Sequence, residues 1–242
     1  MNIEHRPRNN EAQKLNSIIR YFLFIIHYFV FVSCFSQSSN PRIDSLISLL
    51  KKDKADTNKV NHLNDLSWEL KYNNPDTSII LENQALFLAE KLQWKKGIAN
   101  SLNNLGIYNA IKADYPKALD YYLKALKIDN VILNEAKNPS EKQAAKKGIA
   151  RRLGNIGIVY MDQGDYPNAL DYYLKALKVN EELGRKNGVA INLSNIGIVY
   201  MEQADYPKAL DYYLKALKIA EELGDKNGIA RHLGNIGNVY NE

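Results

Sequence analysis

The triplet Asn-Ile-Gly recurs at residues 155, 195 and 235, a spacing of 40. A period of that size constrains the fold more than composition does. Residues 155–184, NIGIVYMDQGDYPNALDYYLKALKVNEELG, match residues 195–224 at 25 of 30 positions, the five changes being D/E, G/A, N/K, V/I and N/A. An earlier copy carries Asn104-Leu105-Gly106 and ADYPKALDYYLKALKID, and a more diverged one spans about residues 57–94 with HLNDLSWEL. Units that cannot bury an apolar face alone must stack on their neighbours.

Each copy reads as two amphipathic helices. In the first half, Ala190, Leu193, Ile196, Gly197 and Tyr200 fall at separations of three and four, and Ala209, Tyr213, Ala216 and Leu217 repeat the pattern in the second. Asp205 suits an N-cap, Pro207 suits a first turn whose amides lack intrahelical partners, and Gly224 stands where a helix stops. Gly197 and Ala209 leave room for close helix contact, and Tyr200 and Tyr213 fill the space between hairpins. Between the second and third copies 11 extra residues are inserted, near 129–142. There Ser140 and Gln143 form a capping-box pattern, which predicts a longer helix and a protruding or extended hairpin.

Leu193, Gly197, Tyr200, Ala209, Tyr213 and Ala216, like Leu153, Gly157, Tyr160, Ala169, Tyr173 and Ala176, fall at the spacing of a known signature. On these residues the chain resembles the tetratricopeptide repeat family over residues 57–242. It departs from that family in its period of 40 instead of 34, in Leu for the first-helix Trp, and in Glu181 and Glu221 for the late Pro. The long form is similar to the branch seen in kinesin light chains, spindle adaptors and bacterial peptide-sensing regulators. The resemblance implies an all-α, right-handed α-solenoid of antiparallel helix hairpins. It would have a lead-in helix within 37–56, about four complete repeats, and the first helix of a fifth.

It also implies a site. First helices line the concave side of such arrays, and the resemblance places Asn104, Asn155, Asn195 and Asn235 there as an asparagine ladder. An amide is both donor and acceptor, so the ladder can pair with the backbone of an extended peptide. Arg151 and Arg231 sit four residues before their Asn, placed to engage a carboxylate; Asn100 and Ile191 take that place in the other copies. The alternative is that the Asn residues bond to the neighbouring helix and the Arg residues face water. Tyr121, Tyr172 and Tyr212 read as packing residues.

Residues that carry catalysis are scarce. His62 and His232 are the only histidines past residue 36 and lie far apart in the array, so they make neither a metal pair nor a His-centred triad. No GxxxxGK phosphate loop occurs, and Gly154-Asn-Ile-Gly157 and Gly234-Asn-Ile-Gly237 recur in register inside helices. Asp171 and Asp211 precede Lys175 and Lys215 by four residues, the favourable order for surface pairs. The expectation is a binding module, with no enzymatic activity, no cofactor and no metal.

The net charge of +5 includes Arg6, Arg8, Lys14 and Arg20 against Glu4 and Glu11; without the first 36 residues, 28 basic and 25 acidic residues remain. That excess is spread along the chain and forms no stripe for nucleic acid. Residues 21–35, YFLFIIHYFVFVSCF, follow a basic segment and read as the core of a secretory signal within residues 1–36. Cleavage near Gln37 is expected, with lipidation at Cys34 and a retained anchor as alternatives. An exported, periplasmic or surface location follows, and contact with a membrane only through that leader or a lipidated Cys34.

Asn241-Glu242 follow the first helix of a fifth copy, leaving Leu233, Ile236 and Tyr240 without a partner helix. Self-association through that open end is one reading. The leading expectation is a scaffold for a protein or extended peptide. The competing one is the sensory input region of a signalling protein, a histidine kinase, serine phosphatase or cyclase whose output domain lies beyond residue 242.

Overall fold

A computed structural model describes residues 40–242; the expected leader, its cleavage near Gln37 and Cys34 lie outside the described residues. The chain divides into two units, Met1–Ser48 and Leu49–Glu242. Helix α1, Pro41–Lys52, carries the described part of the first and continues past the division.

The second unit is a run of antiparallel hairpins. Its helices are α2 (Thr57–Leu70), α3 (Pro75–Lys91), α4 (Lys95–Ile111), α5 (Tyr115–Glu135), α6 (Pro139–Asp162), α7 (Tyr166–Glu182), α8 (Lys186–Glu202), α9 (Tyr206–Leu223) and α10 (Lys226–Asn241). From α2 to α10 each helix packs on its neighbour in sequence, as a solenoid requires. The expected all-α solenoid is what the described residues form, with a helix α1 inside the expected lead-in segment.

The repeated punctuation explains the boundaries. Asp114, Asp165 and Asp205 each cap a second helix by accepting a backbone N–H three residues on, and a proline follows in the first turn. These carboxylates satisfy amides that have no partner within the helix. Gly224 ends α9 at φ 64°, in the left-handed region that costs glycine little.

In the second, third and fourth hairpins the joint is a ring laid on a glycine. A Cβ on Gly157 would lie 2.6 Å from Cε1 of Tyr173, and one on Gly197 would lie 2.6 Å from Cε1 of Tyr213. Only a bare Cα lets the ring so close. Tyr173 also joins Leu177, Leu193, Ile196 and Val199 in one buried cluster, so the same ring closes its own hairpin and meets the next. Tyr172 stacks on Tyr160, and Tyr212 on Tyr200, with ring centroids 5.5 Å apart in both pairs. The exposed pairs Asp171–Lys175 and Asp211–Lys215 form at 2.5 and 2.6 Å.

The inserted residues lengthen two helices. The α5 helix runs for 21 residues and α6 for 24, against 17 in each of α7 and α8. The start of α6 differs from the expected Ser140–Gln143 box. Asn138 is the cap, its Oδ1 accepting from Glu141 N at 2.9 Å, and Glu141 Oε2 accepts in return from Lys137 N at 2.8 Å. Pro139 explains the earlier start, because it fits the first turn and places Asn138 at the cap.

Candidate peptide-binding groove

A groove of about 520 Å³ opens where the first helices α4, α6 and α8 pass side by side, with one wall supplied by the lengthened α5. Arg151, Asn155 and Asn195 all line it. Asn155 donates its amide to Asn103 Oδ1 at 2.9 Å, across to the preceding first helix. Asn195 lines it too and has no side-chain hydrogen bond among the described residues. Arg151 is exposed and donates from Nη2 to Asn100 Oδ1 at 2.8 Å.

The other three residues of the expected site lie outside that lining. Asn104 is turned into the array, donating to Glu82 Oε2 at 3.3 Å and accepting from Asn103 at 3.4 Å. Asn235 donates to Ser194 Oγ at 3.4 Å. Arg231 is exposed on α10. Asn104, Asn155 and Asn235 therefore all bond to neighbouring helices, while Asn155 and Asn195 also border open space.

Beneath the rim lies a buried ion pair that sequence reasoning did not single out. Arg152 on α6 is 0% exposed and Asp129 on α5 is 5% exposed, with Arg152 Nε 3.3 Å from Asp129 Oδ2. Arg152 Nη2 donates to the backbone oxygen of Ala99 at 3.1 Å and to Asn100 Oδ1 at 3.2 Å. Asp129 Oδ2 and Arg152 Nε and Nη1 have no hydrogen-bond partner among the described residues. Burial pushes the Asp129 carboxyl up, against the pull of Arg152 and Arg151. Desolvation pulls Arg152 down to about 10, and the neighbouring charge of Arg151 adds to it. A signal for this pair existed in the aligned copies. Asp129 corresponds to Asn180 and Ala220, and Arg152 to Asn192 and His232, so the complementary charges occur together only beside the insertion. His232 itself is buried with neither ring nitrogen hydrogen-bonded among the described residues.

A second polar cluster lies at the far side of α4. Glu82, fully buried, accepts from Ser67 Oγ at 2.5 Å, and Ser67 Oγ lies 2.8 Å from the Tyr108 hydroxyl. Desolvation pushes Glu82 up to about 7, opposed by the hydrogen bonds of Ser67 and Asn104.

The tetratricopeptide repeat model matches residues 149–222 and again 188–242. No match was found among curated proteins. Solved structures share the architecture. BtubC (BKLC) from P. vanneervenii superposes with a TM-score of 0.66 at 19% identity, over 83% of this chain and 79% of its own. A Rap protein in complex with competence and sporulation factor gives 0.69 at 18% identity, over 82% of this chain and 57% of its own. A signal transduction ATPase with a tetratricopeptide repeat sensor, from Pyrococcus horikoshii, gives 0.67 at 19% identity, over 82% of this chain and 30% of its own. The chain thus spans little more than half of the Rap protein and under a third of the ATPase. At these identities the likeness is one of fold. The repeat model covers residues 149–242, so this part of the chain carries tetratricopeptide repeats, and helical hairpins of the same architecture run back to Thr57.

Proposed function

We propose that the array is an interaction scaffold that holds an extended peptide segment along the groove between α4, α6 and α8. The observation that carries this reading is the convergence of Arg151, Asn155 and Asn195 on one open face. Asn195 offers an unused donor and acceptor, which suit a peptide backbone of any sequence. Ile158 and Ile191, 43% and 44% exposed, line the same face and supply apolar contact. A Rap protein complexed with competence and sporulation factor is similar in fold and supports an array of this kind holding a partner.

The test is selection of a random decapeptide display library on the purified full chain, followed by affinity measurement of the selected peptides on variants. Asn195→Ala removes no internal hydrogen bond, so it leaves folding intact. Together with Asn155→Ala it is expected to weaken selected peptides about tenfold, the scale of one or two lost hydrogen bonds. Equal affinity for the variant would sink the groove assignment.

The tetratricopeptide sensor of the Pyrococcus ATPase favours a second reading, in which this groove serves as the input of a signalling protein. Encoding DNA that continues past residue 242 into an output domain supports it, and a stop codon there defeats it.

A further inference from the structure

Packing demands glycine at one register near the start of each first helix from α4 onward, each time through a different neighbour. A Cβ on Gly97 would lie 2.2 Å from Cε3 of Trp94, and one on Gly148 2.6 Å from Oδ2 of Asp129. On Gly188 it would lie 2.4 Å from Oδ1 of Asn180, and on Gly228 2.4 Å from Oδ2 of Asp225. The residue before each glycine is exposed and under no such demand; it is Lys96, Lys147, Asn187 and Asn227 in turn. Two copies therefore carry an Asn-Gly pair in which the glycine is required and the asparagine is not. Such a pair is the dipeptide most open to imide formation, because a bare Cα does not hinder the glycine nitrogen as it approaches the asparagine carboxamide.

The two pairs differ in what holds that nitrogen. In α10 the N-cap is Asp225, and Gly228 N donates to its Oδ1 at 3.0 Å. In α8 the N-cap is Arg185, a side chain with no acceptor, which makes no cap bond and donates instead to Asn180 Oδ1 at 3.1 Å. Gly188 N is a first-turn amide without a partner inside the helix, and it has none outside the helix among the described residues. The Asn187 side chain is likewise exposed and without a hydrogen bond among the described residues.

We infer that Asn187 is a site of spontaneous modification, at which the chain converts its own asparagine to aspartate and isoaspartate. Gly188 N attacks Cγ of Asn187 and closes a succinimide; the Gly188 amide proton is lost through solvent, and the carboxamide nitrogen departs as ammonia after taking up a proton. Water then opens the ring at either carbonyl. Opening at Cγ gives aspartate, and opening at the main-chain carbonyl gives isoaspartate, whose backbone runs through the former side chain. Water is the only co-reactant. At Asn227 the same attack must first break the bond from Gly228 N to Asp225. Either product places a carboxylate in the first turn of α8, the helix whose Gly188, Ile191 and Asn195 line the groove. Aspartate there is favoured by the positive end of the helix dipole. Isoaspartate adds a backbone carbon next to Gly188 and so disturbs its contact with Asn180.

The purified full chain, aged in mildly alkaline buffer and mapped by proteolysis and mass spectrometry, tests this directly. Asn187 is expected to convert about fivefold faster than Asn227, the factor that a missing N-cap gives in the opening of a first turn. Arg185→Asp supplies the absent cap and should slow Asn187 by a similar factor. Arg185→Ala removes the guanidinium without supplying a cap and should leave the rate unchanged. Asp225→Ala should raise Asn227 to the rate of Asn187. Isoaspartate and aspartate together mark the imide route. The inference is overturned if Asn227 converts as fast as Asn187 in the wild type, if Arg185→Asp converts at the wild-type rate, or if Arg185→Ala slows as much as Arg185→Asp. Aspartate as the sole product also overturns it, because direct hydrolysis of the carboxamide would then be the route.

Discussion

In the third and fourth hairpins a tyrosine ring lies on a glycine; in the first, the corresponding places hold Glu82 and Ser67. The two joints solve one packing problem by different chemistry. Gly157 with Tyr173, and Gly197 with Tyr213, bring helices together through a ring that fills the space a side chain would occupy. Ser67 carries a Cβ and cannot admit a ring so close, and its hydroxyl instead meets the Glu82 carboxylate and the Tyr108 hydroxyl. Hydrophobic burial in the later joints is indifferent to pH, whereas the first joint hides an ionisable group from water. The array is thus uniform in shape and uneven in what sustains it.

Removing a ring produces the largest effect. Tyr173→Ala takes away a side chain that closes its own hairpin and touches the next, so the unfolding free energy should fall by about 3 to 5 kcal/mol. Urea denaturation followed by hydrogen exchange checks this, with protection lost first across α6, α7 and α8. A loss confined to α7 would mean that the ring does not couple neighbouring repeats.

The first joint should respond to pH instead. The folded pKa of Glu82 is raised from 4.5 to about 7. Its contribution to stability is therefore fully present below about pH 4.5 and is lost as pH rises through about 7, a swing of about 3 kcal/mol. Hydrogen exchange corrected for intrinsic rates should show α2 and α3 loosening between pH 5 and 8, on the order of this window, while α6 to α9 stay protected. Glu82→Gln should flatten that dependence. If α2 and α3 stay equally protected across the window, burial does not raise the Glu82 pKa in the fold.

Much of this architecture was legible because its causes are local. A capping Asp followed by Pro marks each second helix from Asp114 onward, and the three- and four-residue spacing of Leu193, Ile196 and Tyr200 marks the buried face. The asparagine column was implied by the family resemblance, and Asn155 and Asn195 of it border the groove. What register could not show is which side chains a groove assembles from different helices. Arg152, Asp129 and Asn100 come from α6, α5 and α4, and spacing within any one helix does not show that they meet. Asn104 occupies the ladder's register, yet Glu82 draws its amide inward, a competition with no trace in spacing. The capping box was displaced by two residues because Asn138–Glu141 and Ser140–Gln143 are overlapping patterns, and Pro139 favours the first.

The smallest effects test the ring-on-glycine joint by sign. Gly197→Ala puts a methyl group 2.6 Å from the Tyr213 ring, which is itself buried, so ring and helix must separate. Overpacking of this kind costs about 1 to 3 kcal/mol, less than losing the ring because the helices can shift to share the strain. Gly237 occupies the same register on α10, but a Cβ there meets nothing within 4 Å. Gly237→Ala should then show only the intrinsic preference of a helix for alanine, a gain of up to about 1 kcal/mol. Paired urea denaturation of the two variants decides the matter. Opposite signs establish that an aromatic ring, and not the helix backbone, demands glycine at this register; a loss at both positions would place the demand in the backbone.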